Sequence, residues 1–487
     1  MSDKINILFV TSEAHPLIKT GGLADVSGAL PAALHAQGQD VRLLIPGYPQ
    51  ILEQLVLKPA LQSGPLYTPG GAVDLLIGEM PGSGLPVYVI DSQRLYQRDG
   101  GPYLDSQGKE WKDNALRFAT LSFVAAKLAK QVSPLGWRPD ILHCNDWQSG
   151  LAPAYLNYTS IAHARTLMTV HNLAYQGLFD LDLVDQLWLP PEAKSMHSVE
   201  FHDQLCFLKA GLQFADQIST VSPTYALEIQ TRAFGCGLDG LLQYRSEVLH
   251  GVLNGIDTDD WNPASDPHLH HHYSIASLEK KRLGKSALQH ELGLEVSADK
   301  MLLGVISRLA GQKGLDILAD ILPQLMEEGF QLCLLGSGDT DLEQRFLEYV
   351  DIYPRRFVAH IGYNEGLAHR IEAGADAFVM PSRYEPCGLN QMYSMAYGTP
   401  PIVRRTGGLA DSVTDTGGSG GITAGATGFI FDAADTASLL QAIHRAQEVY
   451  SKPAEWLQVQ RNGMASDFSW EASADHYLEL YQQLLGR

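Results

Sequence analysis

Short apolar blocks alternate along this chain with longer stretches in which apolar positions recur every three or four residues. The blocks fall at 5–10, 41–45, 87–90, 141–144, 166–170 and 217–221, and again at 301–307, 331–335, 356–361, 377–380, 401–404 and 428–431. Continuous apolar runs of this length, bounded by turn residues, predict strands buried on both faces. The stretches between them predict covering helices, so the fold class is α/β with parallel sheets. The two series are separated by Asn254-Gly255-Ile256-Asp257 and Trp261-Asn262-Pro263, which break both periods. We therefore expect an N-terminal domain over 1–253 and a second domain over 254–467. In the remainder, 468–487, Trp470, Ala474, Tyr477, Leu478, Leu480, Tyr481 and Leu484 have helical spacing. That segment predicts a terminal helix able to return to the N-terminal domain. Residues 416–428, rich in Gly, Ser, Thr and Ala, read as a mobile surface loop.

Length agrees with this division, because 487 residues suit two domains of roughly 200 to 250 residues better than one core. No apolar run approaches the ~20 residues of a membrane helix, and the first strand-like block lacks the features of an export signal. The expectation is a cytoplasmic protein without a membrane partner. Cys144, Cys206, Cys236, Cys333 and Cys387 are scattered and form no C-x-x-C pair, so neither a disulfide framework nor a zinc site is indicated. His268, His270, His271 and His272 lack a second ligand pair at suitable spacing and read as a solvated segment. A net charge of −20 argues against nucleic acid as a partner. An anionic substrate would then need cations gathered locally.

Such cations accompany a repeated hexapeptide. Thr-Gly-Gly-Leu-Ala-Asp occurs at 20–25, after Lys19, and at 406–411, after Arg404 and Arg405. A glycine pair opening a helix lets backbone N–H groups approach an anion at the positive end of the helix dipole. One copy would suggest a tight turn; two copies suggest two similar halves serving one ligand. In parallel sheets ligands bind beyond the carboxyl ends of strands, so the polar residues following each block are the candidates. In the first half these are Glu13, Lys19 and Asp25, then Asn145-Asp146-Trp147, then His171-Asn172. In the second half Arg308 and Lys313 follow 301–307 with a glycine between them, a pair suited to a pyrophosphate and to charge growing on a leaving nucleoside diphosphate. After 377–380 comes Pro381-Ser382-Arg383-Tyr384-Glu385-Pro386-Cys387-Gly388-Leu389. There a carboxylate on a proline-bounded turn could accept from sugar hydroxyls, and the backbone N–H groups of Cys387, Gly388 and Leu389 sit at a helix start. Asp257-Thr258-Asp259-Asp260 lies in the boundary segment and reads as a turn, so no metal is expected to serve the reaction. There is no nucleophile elbow, no P-loop and no G-x-G-x-x-G after the first strand. The last absence argues against an oxidoreductase.

Taken in order, Lys19-Thr20-Gly21-Gly22-Leu23, His143-Cys144-Asn145-Asp146-Trp147, Val170-His171-Asn172, Asn254-Gly255-Ile256-Asp257, Arg308 with Lys313, and Glu385-Pro386-Cys387-Gly388-Leu389 resemble the bacterial glycogen synthases of the ADP-glucose-dependent starch and glycogen synthase family. The resemblance implies a GT-B fold, two Rossmann-like domains facing each other across a deep cleft. It implies retaining transfer of glucose from ADP-glucose to the non-reducing end of an α-1,4-glucan such as glycogen, without a cofactor. It also implies roles. Lys19 with Gly21 and Gly22 would lie over the donor phosphates and sugar, while Asp25, Tyr103 and Asp146 would shape the sugar and acceptor site. His171 and Asn172 would face the reacting glucose, and Arg308 and Lys313 would hold the pyrophosphate. Tyr363 would lie against adenine, Glu385 and Cys387 would contact the donor glucose beside Gly388 and Leu389, and Thr406 and Gly407 would close the phosphate site. Asn390 departs from the Thr of many relatives, and Tyr393 replaces a second Glu of the wider retaining group. No residue stands out as the carboxylate nucleophile of a two-step route, which favours a front-face reaction. The alternatives are an inactive glucan-binding paralogue and a GT-B enzyme using UDP-glucose. A phosphorylase is disfavoured by the chain's length and by the lack of a cofactor-lysine context.

Overall fold

The computed structural model describes residues 4–417 and 421–487. It resolves into two compact units. Unit 1 takes the described residues up to Val221, then Ala226–Gly255 and Trp470–Arg487; unit 2 takes Ser222–Tyr225 and Ile256–Ser469.

All twelve apolar blocks become strands. In unit 1 they are β1 (Asn6–Val10), β2 (Asp40–Pro46), β6 (Pro86–Asp91), β7 (Ile141–Asn145), β8 (Arg165–Val170) and β12 (Gln217–Thr220), joined by β3 (Lys58–Pro59), β4 (Leu66–Thr68), β5 (Gly71–Glu79) and β13 (Leu249–Gly251). The ten form one sheet of order β13-β12-β8-β7-β1-β2-β6-β5-β3, with β4 paired to β5. From β13 to β6 every pairing is parallel, with Ile7 opposite both Val41 and Ile141. Ile7, Leu8, Phe9 and Val10 are fully buried because helices cover both faces. The antiparallel β3, β4 and β5 extend the sheet past β6. They were missed because β5 alternates exposed with buried residues and β3 is a two-residue edge piece containing Pro59. A small separate sheet holds β9 (Leu178–Asp180), β10 (Glu200–Phe201) and β11 (Gln204–Cys206).

Unit 2 is a six-stranded parallel sheet of β14 (Leu302–Ile306), β15 (Gln331–Gly336), β16 (Phe357–Ile361), β17 (Ala377–Met380), β18 (Pro401–Arg404) and β19 (Phe429–Phe431). Its order is β16-β15-β14-β17-β18-β19. Both sheets therefore reverse direction beside their first strand, between β1 and β7 in unit 1 and between β14 and β17 in unit 2. Doubly wound sheets open a crevice at such a point, beyond the carboxyl ends of the strands.

The predicted terminal helix is Trp470–Leu485, and within unit 1 it packs beside the helix Gly22–Ala36. Ala474, Tyr477 and Tyr481 are buried, Ser473 Oγ donates to Leu253 O at 2.7 Å, and Gln37 Nε2 donates to Asp475 Oδ1 at 2.9 Å. Of the 416–428 stretch read as a mobile loop, 418–420 lie outside the described residues. Thr416 N donates to Gly428 O at 2.9 Å. Among the described residues no helix is long and apolar enough to cross a membrane.

Candidate active site

In unit 1 the loop after β1 is organised by a carboxylate. Glu13 is buried and accepts from Thr20 N at 2.6 Å, Thr20 Oγ1 at 2.8 Å, Gly21 N at 3.2 Å and Tyr103 OH at 2.7 Å. It holds the strand end, the glycine turn and Tyr103 together. Burial, reinforced by the negative charge of Glu13, pushes the Tyr103 phenol well above its ordinary value, so Tyr103 stays protonated and donates. The helix then starts at Gly22 with Gly21 as its N-cap, and both glycines are exposed. A Cβ added at either would meet nothing within 4 Å. Lys19 Nζ meets Asp25 Oδ1 at 2.7 Å across the turn.

Next to β1 in the sheet, β7 and β8 end side by side. Asp146, the first residue past β7, is buried with a left-handed backbone (φ 52°), and its Oδ1 accepts from His171 N at 2.8 Å. Burial pushes its carboxyl up to about 7, against the opposing pull of backbone donors from His171 and Asn172. Burial drives His171 the other way, down to about 3, so its imidazole is neutral. Asn145 Nδ2 donates to Val10 O at 3.1 Å, which turns Oδ1 toward His171 Nε2 at 3.0 Å. The proton therefore sits on Nε2, and Nδ1 is the acceptor nitrogen.

In unit 2 the crevice between β14 and β17 is a cavity of about 330 Å³. Arg308, Lys313, Tyr363, Glu385, Gly388 and Leu389 all line it. Arg308 is exposed and makes no ion pair among the described residues. Lys313 Nζ lies 2.6 Å from Glu385 Oε2 and 2.9 Å from Oε1, and Ser382 Oγ donates to Oε2 at 2.9 Å. Lys313 reaches Glu385 because Gly314 follows it in the left-handed region (φ 67°), where a Cβ would stand 2.0 Å from Pro381 O. Tyr363 is 84% exposed at the mouth. Asn390 Nδ2 donates to Ile306 O at 2.9 Å, tying the helix start to the end of β14.

Cys387, Thr406 and Gly407 are buried and lie outside that lining. The second hexapeptide copy props up the Glu385 turn: a Cβ at Gly407 would stand 1.9 Å from Glu385 O, and one at Gly408 2.1 Å from Cys387 O. Its neighbouring cations are committed elsewhere. Arg405 pairs with Asp432 at 2.6 Å, and Arg404 donates to Asp432 O and Arg383 O. The contributions of Ser382 and Asn390 were not foreseen from the sequence, nor was the organising part of Glu13. A polar residue within three positions of a strand end was the only signal for Glu13.

Residues 6–244 match the family profile described as the starch synthase catalytic domain, and 300–448 match glycosyl transferases group 1. The chain is 52% identical over 480 residues to a glycogen synthase of Aromatoleum aromaticum, covering 98% of this chain and 97% of that one. It is 51% identical over 481 residues to a glycogen synthase of Dechloromonas aromatica, covering 99% of each. Among solved structures it is similar to the catalytic domain of Starch Synthase IV from Arabidopsis thaliana bound to ADP and acarbose, with a TM-score of 0.87, 33% identity and coverage of 99% and 100%. A sucrose-phosphate synthase from Thermosynechococcus elongatus shares the fold at a TM-score of 0.60 and 21% identity.

Proposed function

The chain belongs to the glycogen synthase family of GT-B glycosyltransferases, and from that premise we infer that it transfers glucose from ADP-glucose to the non-reducing 4-hydroxyl of an α-1,4-glucan, with retention, in the cytoplasm. The observation that carries the reading is Arg308, an exposed cation without an ion-pair partner among the described residues, beside Lys313 at the switch point of the unit 2 sheet. In a chain of net charge −20 such a pair is where a diphosphate finds compensation. ADP then occupies the unit 2 cavity, with Tyr363 against adenine and Arg308 and Lys313 on the phosphates. Glu385 and the N–H groups of 387–389 face the glucose, with Thr406 and Gly407 holding that turn in shape.

In unit 1 the exposed amides at Gly21 and Gly22, with Lys19, take the role the family resemblance implies for them, toward the donor phosphates and sugar. Asp25, Tyr103 and Asp146 shape the glucan side, and His171 and Asn172 face the anomeric carbon. Charge sign supports this placement of His171. As the bond from C1 to the phosphate oxygen breaks, the sugar becomes positive, and a neutral imidazole presenting a lone pair favours that state, whereas an imidazolium would oppose it. The glucan 4-oxygen bonds to C1 on the face the phosphate leaves, and its proton passes to the departing phosphate oxygen, so no protein nucleophile is required. A glucosyl adduct trapped on a protein carboxylate would refute that route.

The test is incorporation of labelled glucose into glycogen from ADP-glucose and from UDP-glucose. We expect ADP-glucose to be preferred and Arg308→Ala to lower kcat by about 10²-fold or more, the scale of losing one charge-stabilising donor. A dominant rate from UDP-glucose would overturn the donor assignment. An unchanged rate in Arg308→Ala would overturn the site.

A further inference from the structure

At the helix whose Ala368 lines the nucleotide cavity, but with none of the three in that lining, unit 2 gathers Asp260, Glu365 and His369 so that one ligand atom of each lies within 4.8 Å of the others. Glu365 and His369 are one turn apart on the helix Glu365–Gly374 and share a face. Asp260 comes from the turn read in the sequence as Asp257-Thr258-Asp259-Asp260, whose shape is fixed by Asp257 Oδ1 accepting from Asp259 N at 2.9 Å and Asp260 N at 3.1 Å. Two exposed carboxylates would not by themselves make a site.

His369 adds an independent observation. It is fully buried, yet its Nε2 has no hydrogen-bond partner among the described residues. Leaving a buried ring nitrogen unpaired forfeits its solvation with nothing in return, so its occurrence needs an explanation. The other nitrogen is firmly engaged. Nδ1 lies 2.8 Å from Asp266 Oδ2, which also accepts from Tyr397 OH at 2.5 Å, while Asp266 Oδ1 accepts from His268 N at 2.8 Å. Asp266 is thus a fixed carboxylate that draws the imidazole proton to Nδ1 and leaves the Nε2 lone pair bare. The ring cannot turn away, because Trp261 stacks on it at 3.9 Å and 11°, and Tyr393 stacks on Trp261's other side at 3.8 Å and 10°. A histidine whose second nitrogen donates to a buried carboxylate is the usual arrangement behind a metal ligand.

We propose that Asp260, Glu365 and His369 Nε2 bind a divalent transition-metal ion of the Zn²⁺ class, with Asp266 orienting the imidazole. One imidazole and two carboxylates suit Zn²⁺ better than Mg²⁺, and the remaining position would be filled by water. Tetrahedral Zn²⁺ holds its ligand atoms about 3.3 Å apart, so the exposed carboxylates must close in by side-chain rotation, which they are free to do. The site is structural and separate from glucose transfer: the ion would pin the 257–260 turn to the helix carrying His369.

Full-length protein, stripped with EDTA and desalted, would be titrated with ZnCl₂ in a calorimeter. One ion should bind per chain and raise Tm. Asp260→Asn and Glu365→Gln, both at the surface and therefore safe for folding, should each weaken binding at least about tenfold, and Asp266→Asn by about 10- to 100-fold. Glucose transfer by the stripped enzyme should be unchanged. The proposal is overturned if no Zn²⁺ binds at millimolar concentration, or if binding survives both carboxylate substitutions and is lost in His270→Ala with His271→Ala, which would assign the ion to the exposed histidines.

Discussion

Asp146 and His171 touch through a single hydrogen bond, yet burial moves them in opposite directions, and each leaves a different mark on stability. His171 titrates near 3 when folded and near 6.5 when unfolded, so between those values only the unfolded chain takes up the proton. Stability therefore falls as pH drops through that window. Asp146 titrates near 7 when folded against 3.8 when unfolded, so there the folded chain holds the extra proton, and stability falls as pH rises toward 7. Asp146→Asn removes only the second effect. Its Tm relative to the parent should rise from pH 5 to about pH 7 and level off above it, and parallel Tm curves would refute the raised carboxyl. At the other site Glu385 places negative charge beside Lys313, where ADP must put its own. Glu385→Gln should tighten ADP binding by about threefold or more, by removing that repulsion, while lowering kcat. Calorimetric binding of ADP checks the first half, and weaker binding would count against a pyrophosphate at Lys313.

At the scale of elements, the strands could be read from sequence because both faces of each sheet are covered, so each central strand is apolar throughout. The edge additions β3, β4 and β5 could not, since a half-exposed strand shows only a diluted pattern. The paired hexapeptides show where local sequence stops being informative. Identical residues open the helices Gly22–Ala36 and Gly407–Ser412, but the first pair of glycines stands in open space and the second is pressed against the backbone of the Glu385 turn. Asp25 in one copy pairs with Lys19, whereas Asp411 in the other accepts from Thr224 N and Oγ1 at 2.8 and 2.6 Å. Packing partners distant in sequence decide the difference. Of the candidate residues, the charged and amide side chains directly after strands could be found from the strand pattern itself; Tyr103, in the long connection between β6 and the helix Asn114–Ala129, and Tyr363, an aromatic ring two residues past β16, came only from family resemblance. The contrast is measurable. Gly408→Ala should destabilise by about 2 kcal/mol or more, since its Cβ must displace backbone. Gly21→Ala should change stability by less than about 1 kcal/mol. Equal losses in denaturant unfolding would contradict the packing described.

Across the whole molecule, the chain leaves unit 1 at Gly255 and comes back for its last eighteen residues, Trp470–Arg487. What they complete is a buried polar chain within unit 1. Tyr481 OH lies 2.7 Å from His143 Nδ1, His143 Nε2 lies 2.6 Å from Thr169 Oγ1, and Thr169 Oγ1 lies 2.5 Å from Ser219 Oγ. The chain runs from the terminal helix through β7 and β8 to β12. Burial holds His143 well below its ordinary value, so the ring is neutral and needs one donor and one acceptor. Tyr481→Phe keeps the ring volume and strands Nδ1 in the interior, at a cost of about 1–3 kcal/mol. Because each unit has its own sheet and core, unfolding need not be a single transition, and the loss should fall on unit 1. Calorimetry can assign it: saturating ADP should raise the transition of unit 2 by mass action, and Tyr481→Phe should lower the other one. If the substitution lowers the ADP-raised transition instead, the terminal helix stabilises a different part of the protein from the one its contacts indicate.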